Sequence, residues 1–443
     1  MSPEPGVVGW YRRSIGSLTT WGLTALVIVE TFADLRHGLT PPPWLVSSYL
    51  IVDVLVILAC GPAVWLHRRN VGRAGTWMIA AAFGLMVWAL ASASVCPLPT
   101  LGTAVTREFL VMPALTSMTT FLAGLAVAFG LSSQASVRDV VARLWWPAMA
   151  LTIASFLQWP RAMKVHESTR LATGMGGSAV LHVPLLLASG VLAVAAIAGL
   201  RRIASVVFAL AALLAVVLTG SRAGLACAAV FTVGYGIALV VWRHSEPDRF
   251  CRHRGLVWGG LVAVALAVVA VVALVPGMRR VLSLSDPLRS QTVHLGLDLW
   301  SSDWIHVLVG HGYGRLWPWY LYDSHARREP WRGMITTEWG QTLGSAHSTV
   351  LAILVELGLM GLLMLLIVLA VPMVRLVVAF TRGLRSLEYA ILLWAVVATM
   401  PAFLLDTYLV KNYGVSMWWW VVAFAAVLHG GQRPWSTSRQ KAG

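Results

Sequence analysis

Apolar runs separated by short polar segments recur along nearly the whole chain. Each run holds roughly 18–23 residues, which is enough for an α-helix to cross the ~30 Å hydrocarbon core of a bilayer. The pattern predicts an all-α polytopic membrane protein of about 12 transmembrane helices, forming a single membrane domain over residues 1–443. The predicted spans are 17–35, 45–66, 76–96, 109–131, 143–159, 177–199, 202–220, 222–242, 256–276, 348–371, 387–410 and 413–430.

One polar segment, which follows the ninth predicted span, is much longer than the others. It covers residues 277–347 and contains apolar residues at three- and four-residue steps, the spacing of an amphipathic helix. We expect this short helix over residues 292–309, lying along the membrane interface, because tryptophans favour that depth. The residues that set the spacing are Leu297, Trp300, Trp304 and Leu308.

A glycine-rich turn, Gly310-His311-Gly312-Tyr313-Gly314, comes next in this loop. It follows no predicted strand and lacks the spacing of a nucleotide-binding motif, so it predicts a turn and no nucleotide site. Aromatic residues then cluster, and two interpretations stay open. They could anchor the loop at the membrane interface, which we favour for most of the 22 tryptophans, or stack on sugar rings. The cluster comprises Trp317, Trp319, Tyr320, Tyr322, Trp331 and Trp339.

The composition agrees with a membrane protein, since 58% of the residues are hydrophobic and 12% are charged, against about 25% charged in soluble domains. The 33 lysines and arginines predict the topology. If the N-terminus is cytoplasmic, 19 of them fall in inside segments, 7 in short outside segments and 7 in the long loop. The positive-inside rule then predicts that both termini are cytoplasmic and that residues 277–347 form a periplasmic loop.

The net charge of +15 indicates membrane lipids and a polyanionic ligand as partners, and no feature indicates nucleic acid. The four cysteines show no CxxC motif and no Cys/His spacing that is typical of metal sites. We therefore expect no metal and no cofactor.

Arg222 lies in a polar break, Thr219-Gly220-Ser221-Arg222-Ala223-Gly224, between two apolar runs. Ser221 is predicted to cap the following helix, which puts Arg222 in its first turn. A helix N-terminus offers partial positive charge and unpaired N–H groups, and a guanidinium binds phosphate in a bidentate manner. The alternative is an arginine that merely reaches the membrane interface. Cations are disfavoured at helix N-termini, however, so this position favours a bound anion.

Two further outward arginines are candidates for the same anion. Arg170 lies in a segment rich in glycine, residues 168–177, where the backbone can approach a ligand closely. Arg289 precedes the amphipathic helix, but Asp286 or Asp298 could simply pair with it.

His347 stands where the loop meets the tenth predicted span. Imidazole is well suited to move a proton near neutral pH, and the positive end of a helix favours the neutral ring that accepts one. The sequence leaves open whether His347 is a general base or only caps the helix. Glu356 lies on the opposite side of that helix and about 13 Å deeper, so we interpret it as a buried structural acid.

Carboxylates within predicted spans, Glu30, Asp53 and Glu356, support a competing hypothesis, an ion-coupled transporter. No pair of interrupted spans occurs in matching halves of the chain, as many transporters have. The polar groups lie at the outer surface instead, which favours an enzyme that acts at that surface over a transporter.

The order of three motifs resembles the O-antigen ligase and O-antigen polymerase superfamily, membrane glycosyltransferases of the bacterial envelope. They are the segment 219–224, the turn 310–314, and His347 followed by Glu356-Leu357-Gly358-Leu359-Met360-Gly361-Leu362-Leu363. The number of spans and the long loop before the tenth span also fit. The motifs cover roughly residues 170–365. This chain has His347-Ser348 where many relatives have His-Asn, which leaves the role of Ser348 open.

The resemblance implies a multi-pass enzyme of the bacterial inner membrane whose active site faces the periplasm. Such an enzyme moves a glycan from undecaprenyl pyrophosphate to an acceptor hydroxyl, inverting the anomeric carbon and needing no metal. His347 would be the base, Arg170 and Arg222 would hold the pyrophosphate, and Arg289 is a third candidate. We favour a polymerase of O-antigen or exopolysaccharide repeat units. The alternative is a ligase that attaches the glycan to the lipid A core.

Overall fold

A computed structural model describes residues 7–32, 48–68, 71–100, 106–132, 136–166, 170–245, 287–319, 334–343, 345–381 and 387–429. This part of the chain is mainly helical and contains one antiparallel hairpin. The helices are α1 (Val7–Phe32), α2 (Ser48–His67), α3 (Arg73–Val95), α4 (Glu108–Leu131), α5 (Val137–His166), α6 (His182–Ile197), α7 (Arg202–Leu218), α8 (Arg222–Ser245), α9 (Pro287–Trp300), α10 (Trp304–Val309), α11 (Thr349–Thr381), α12 (Leu387–Ala398), α13 (Ala402–Leu405) and α14 (Tyr413–His429). The strands are β1 (Met334–Thr337) and β2 (Gly340–Leu343).

The helices follow the predicted spans closely. Eleven of the twelve spans coincide with helices of the described residues, and the span 256–276 lies outside them. Within the described residues, eight helical segments are long and apolar enough to cross a membrane, and three more apolar helices, α6, α7 and α14, are shorter. The architecture fits a polytopic helical membrane protein.

The predicted span 387–410 is too long. The helix stops after Ala398, resumes as the short helix α13 and ends at Leu405. Pro401 lies at the interruption and cannot donate a backbone hydrogen bond, which breaks the helix. Asp406 is already extended, with φ −150° and ψ 165°. It therefore begins a connecting turn and does not lie inside a membrane helix.

The predicted helix 292–309 is two helices, α9 and α10, separated at residues 301–303. The side chain of Asp303 accepts hydrogen bonds from the backbone N–H groups of Ile305 and His306 and so starts α10 as a new helix. Trp304 and Ile305 remain exposed on the surface, as expected for an interfacial helix. The β1–β2 hairpin of the same loop was not predicted.

Helix α11 is broken where the glycine-rich turn 310–314 contacts it. Gly358 adopts φ 69° and ψ −169°, which no helix permits. Two carbonyls next to the break bind the turn: His311 N donates to Val355 O at 3.0 Å, and Gly312 N donates to Glu356 O at 2.9 Å. A Cβ atom at Gly310 would lie 2.4 Å from the backbone of Glu356, so this close contact needs glycine.

Helix α14 is buried on all sides, and its tryptophans form part of the protein core. Trp418, Trp419 and Trp420 are almost completely inaccessible, and Trp420 stacks on Phe424 with ring centroids 5.4 Å apart. The belt interpretation is wrong for these three residues, because a buried ring cannot face the lipid interface. Trp65 and Trp77 are exposed, which agrees with that interpretation.

Several segments between helices meet at one end of the bundle, which we call the site end. Gly174 N donates to Thr31 O at 3.0 Å, and Leu171 N donates to Leu218 O at 2.9 Å. These bonds bring the end of α1, the segment before α6 and the end of α7 together. The segments 170–181, 219–221 and 406–412 lie at this end. Of these, residues 170–176, 221 and 411–412 were predicted to be outside, and the others were assigned to spans.

Candidate functional site

The turn 406–412, between α13 and α14, lies at the centre of the candidate site. Two of its residues have left-handed backbone angles, Leu409 at φ 64° and Asn412 at φ 56°. Side-chain hydrogen bonds hold this unfavourable conformation: Asn412 Nδ2 donates to Thr407 O at 2.8 Å, and Leu409 N donates to Ser416 Oγ at 2.9 Å. Non-glycine residues in this region cost free energy and cluster at functional sites.

Asp406 begins this turn and is surrounded by cations. Its side chain is 5% exposed, and the charges of Arg289, Arg170 and Lys411 act on its carboxyl group. Arg289 also donates through Nη1 to Leu405 O at 3.1 Å. Burial raises the pKa of Asp406 to about 8, although the three cations favour its charged form. Three cationic side chains from separate segments thus converge on one carboxyl group.

Arg170 is bound to the break between α7 and α8, which Arg222 follows. Its Nε donates to Thr219 O at 2.8 Å. The predicted cap is confirmed, because Gly224 N donates to Ser221 Oγ at 3.2 Å. Arg222 is the first residue of α8 and half-buried. The break therefore places Arg222 three residues from the carbonyl group that binds Arg170.

His347 lies immediately before α11 and is half-buried. It adopts φ 50°, so His347, Leu409 and Asn412 are three of the four non-glycine residues with positive φ in the described part of the chain. The next residue, Ser348, caps the helix, since Leu351 N donates to Ser348 Oγ at 3.1 Å. This gives a role to Ser348 and means that helix capping does not need the His347 ring.

The start of α11 is bound directly to the turn 406–412. Thr349 donates to Asp406 O through both its backbone N and its Oγ1, each at 2.9 Å. The hydroxyl groups of Ser345 and Thr407 lie 3.4 Å apart. His347 thus belongs to a segment fixed at both ends to the residues around Asp406.

The structure brings Arg170 and Arg289 together and places Arg222 and His347 on segments bound to their surroundings. Arg170 and Arg289 meet at Asp406, and His347 is joined to the same turn. Arg222 directly follows the break 219–221, where Thr219 O accepts the hydrogen bond from Arg170. For Arg289, Asp406 is the carboxylate that the structure places nearby, while the proposed partner Asp298 is exposed on α9 and Asp286 lies outside the described residues.

Sequence reasoning missed Asp406 and Lys411 as site residues. Asp406 falls inside the predicted span 387–410 because most of its neighbours are apolar. Lys411 is one of the basic residues that were used only to predict the topology. The available signal was local: the polar residues of Asp406-Thr407 and Lys411-Asn412 interrupt the apolar sequence within seven residues. Such an interruption is typical of a connecting turn.

Of the carboxylates assigned to the competing hypothesis, Glu30 lies beside the start of α14, since a Cβ atom at Gly414 would lie 3.0 Å from its Oε2. Glu356 is buried, and its Oε1 accepts a hydrogen bond from Trp317 N at 3.2 Å, as expected of a structural acid. Asp53 accepts hydrogen bonds from Thr119 and Thr120, at 3.2 and 2.6 Å. Glu30 is buried close to Asp53, and no partner of its Oε1 occurs among the described residues.

The three described members of the aromatic cluster are poorly placed to stack on sugar rings. Trp317 and Trp319 are buried. Trp339 is half-buried and covered by Arg315, whose guanidinium lies 5.2 Å from the ring centroid. Tyr320, Tyr322 and Trp331 lie outside the described residues.

The described part of the chain contains no group of three or more His, Cys, Asp or Glu side chains that could hold a metal ion. Comparison with protein-family models gives no match, and comparison with curated proteins finds no similar sequence.

Proposed function

We propose that this protein is a metal-independent, inverting glycosyltransferase that moves a glycan from undecaprenyl pyrophosphate to an acceptor hydroxyl. The reaction would take place at the site end, on the periplasmic side of the bacterial inner membrane. The acceptor oxygen attacks the anomeric carbon, and its proton passes to the His347 imidazole. The bond between that carbon and the pyrophosphate oxygen breaks, and the electron pair leaves with the pyrophosphate.

One observation carries this proposal: Arg170, Arg289 and Lys411 converge on Asp406, in the turn that is bound to the start of α11 beside His347. A leaving pyrophosphate develops negative charge, and fixed cations stabilise such charge more in a partly dry site than in water. A base next to a cluster of cations is the combination that this group transfer requires.

We favour a polymerase, in which the acceptor is another polyprenyl-linked repeat unit. The alternative within the same chemistry is a ligase with the lipid A core as acceptor. Both would use the same base and the same anion site. Supplying each acceptor separately to the purified protein with the lipid-linked donor distinguishes them, because only one acceptor should give a longer product.

A transporter is the alternative of another class, and the buried pair Glu30 and Asp53 favours it. The break in α11 does not add to that case. Backbone carbonyls exposed by such a break coordinate ions in transporters. Here Val355 O and Glu356 O accept hydrogen bonds from the turn 310–314, and Leu357 O accepts one from Trp88 Nε1 at 3.0 Å.

The experiment that tests the proposal is glycan transfer by purified protein in nanodiscs. We expect product from lipid-linked donor and acceptor with no ion gradient across the nanodisc. Absence of product with every acceptor, together with gradient-driven uptake in vesicles, would support the transporter instead.

A further inference from the structure

We propose that Lys411 is a further phosphate-binding residue of this site, contacting the diphosphate of the lipid-linked donor together with the arginines. The inference rests on the proposed function and extends it, because it adds a ligand to the anion site that no sequence motif indicated.

The position of the Lys411 ammonium group is the first argument. Its charge acts on the Asp406 carboxyl group together with those of Arg170 and Arg289, so all three cations lie near this one carboxyl group. The group also lies 5.1 Å from the ring centroid of Trp319. A cation over an aromatic face is held by the ring quadrupole while its N–H groups can still bind an anion.

Trp319 is a rigid support for this lysine. Its side chain is 6% exposed and lies edge-on to Tyr413, with ring centroids 6.2 Å apart. Tyr413 in turn contacts Tyr49, at 5.4 Å between centroids. Three packed rings from the loop, α14 and α2 therefore fix the surface on which the lysine stem rests.

The backbone around Lys411 is the second argument. Leu409 and Asn412, on either side of it, have left-handed angles. The carbonyl of Lys411 accepts a hydrogen bond from Ser416 Oγ at 2.8 Å, and the carbonyl of Val410 accepts one from the Tyr313 hydroxyl at 2.6 Å. The fold thus holds an unfavourable turn in place around one lysine, which is typical of ligand-binding residues.

The chemistry of lysine complements that of arginine here. A guanidinium is a planar fork that binds two oxygens of one phosphate, whereas an ammonium is a compact charge with three donors that rotate. A diphosphate presents two neighbouring phosphate groups. The arginines would bind one phosphate group, and Lys411 would bind the other. This assignment predicts that Lys411 matters more for a diphosphate than for a monophosphate.

The test measures binding of geranylgeranyl diphosphate and geranylgeranyl monophosphate to the full-length protein in nanodiscs. Lys411→Gln should weaken diphosphate binding about tenfold and monophosphate binding less than about threefold, since charge-assisted hydrogen bonds to one phosphate are lost. Lys411→Arg should keep affinity within about threefold. The matched control is Lys164→Gln, an exposed lysine at the end of α5, which should leave both affinities unchanged.

Equal diphosphate affinity in the wild type and Lys411→Gln would overturn the inference, and so would an equal loss in the Lys164→Gln control. If the Gln variant aggregates, Lys411→Met gives the same test, because it keeps the aliphatic stem over Trp319. Failure of the wild type to bind either probe overturns both the inference and the proposed function. Normal glycan transfer and normal donor KM in Lys411→Gln overturn the inference alone.

Discussion

The hydroxyl group of Tyr313 donates a hydrogen bond to the carbonyl of Val410 at 2.6 Å. This bond joins the glycine-rich turn 310–314, which closes the break in α11, to the turn that carries Asp406 and Lys411. Tyr313 N also donates to Ser92 Oγ at 3.1 Å, so the tyrosine is fixed from α3 as well. Tyr313 therefore anchors both the turn 310–314 and the turn 406–412.

Tyr313→Phe should weaken diphosphate binding severalfold while reducing the free energy of unfolding by only about 1 kcal/mol, the contribution of one hydrogen bond. The ring stays buried, but Val410 O loses this donor and the turn loses its anchor. The control is Ser117→Ala, which removes only the longer contact of 3.4 Å to the same hydroxyl. Unchanged diphosphate affinity in Tyr313→Phe would show that the turn is fixed without this bond.

His347→Ala should reduce glycan transfer at least about a hundredfold, the contribution of a general base. Protein level and membrane insertion should stay normal, because Ser348 caps α11 without the imidazole. His347→Asn should behave in the same way, since asparagine tolerates the left-handed backbone but cannot act as the base. The assay is glycan assembly in a deletion strain complemented with each variant. His294→Ala, an exposed histidine of α9, is the control and should remain active. Near-normal assembly with His347→Ala would remove His347 from the mechanism.

Arg222→Lys and Arg170→Lys should each weaken binding of a polyprenyl diphosphate analogue about tenfold, because lysine lacks the planar fork. For Arg170 there is a second reason: its Nε is bound to Thr219 O, which orients the remaining N–H groups. Arg289→Lys should have a smaller effect. Arg161→Lys, exposed at the end of α5, is the control. Full affinity in both the Arg222 and the Arg170 variants would place the pyrophosphate elsewhere.

Diphosphate binding should weaken as pH rises above about 8, the raised pKa of Asp406. Below this pH the carboxyl group is protonated and leaves the three cations to the ligand. Above it the carboxylate competes with the diphosphate for them, and a bound anion raises the pKa of Asp406 further, so affinity falls with increasing pH. Asp406→Asn should remove this dependence. Binding curves for the wild type and Asp406→Asn between pH 6 and 9 that keep a constant ratio would contradict the prediction.

The helices could be predicted because burial in a membrane demands long apolar runs, and the length of a run sets the length of a helix. The positions of Arg222 and His347 at the starts of helices could also be predicted, since each follows a polar segment that precedes an apolar run. Asp406 could not, because its apolar neighbours dominate any window of span length. The convergence of Arg170, Arg289 and Lys411 depends on packing between residues up to 241 positions apart, from 170 to 411, and no local pattern records it.

The break in α11 also could not be predicted from the local sequence. Gly358 occurs in an apolar run that predicts a continuous helix. Its left-handed angles arise because the turn 310–314 supplies donors to the interrupted carbonyls, and that partner lies over 40 residues earlier in the chain. Tertiary contacts decide such breaks.

The most direct test is glycan transfer by the purified protein in nanodiscs, with lipid-linked donor, acceptor and excess EDTA. If arginines, a lysine and one imidazole are sufficient for the reaction, the protein should form product at an unchanged rate after chelation. The His347→Asn variant should form almost no product in the same assay. Loss of activity on chelation, with recovery on adding Mg²⁺, would contradict a mechanism in which protein cations alone stabilise the leaving pyrophosphate.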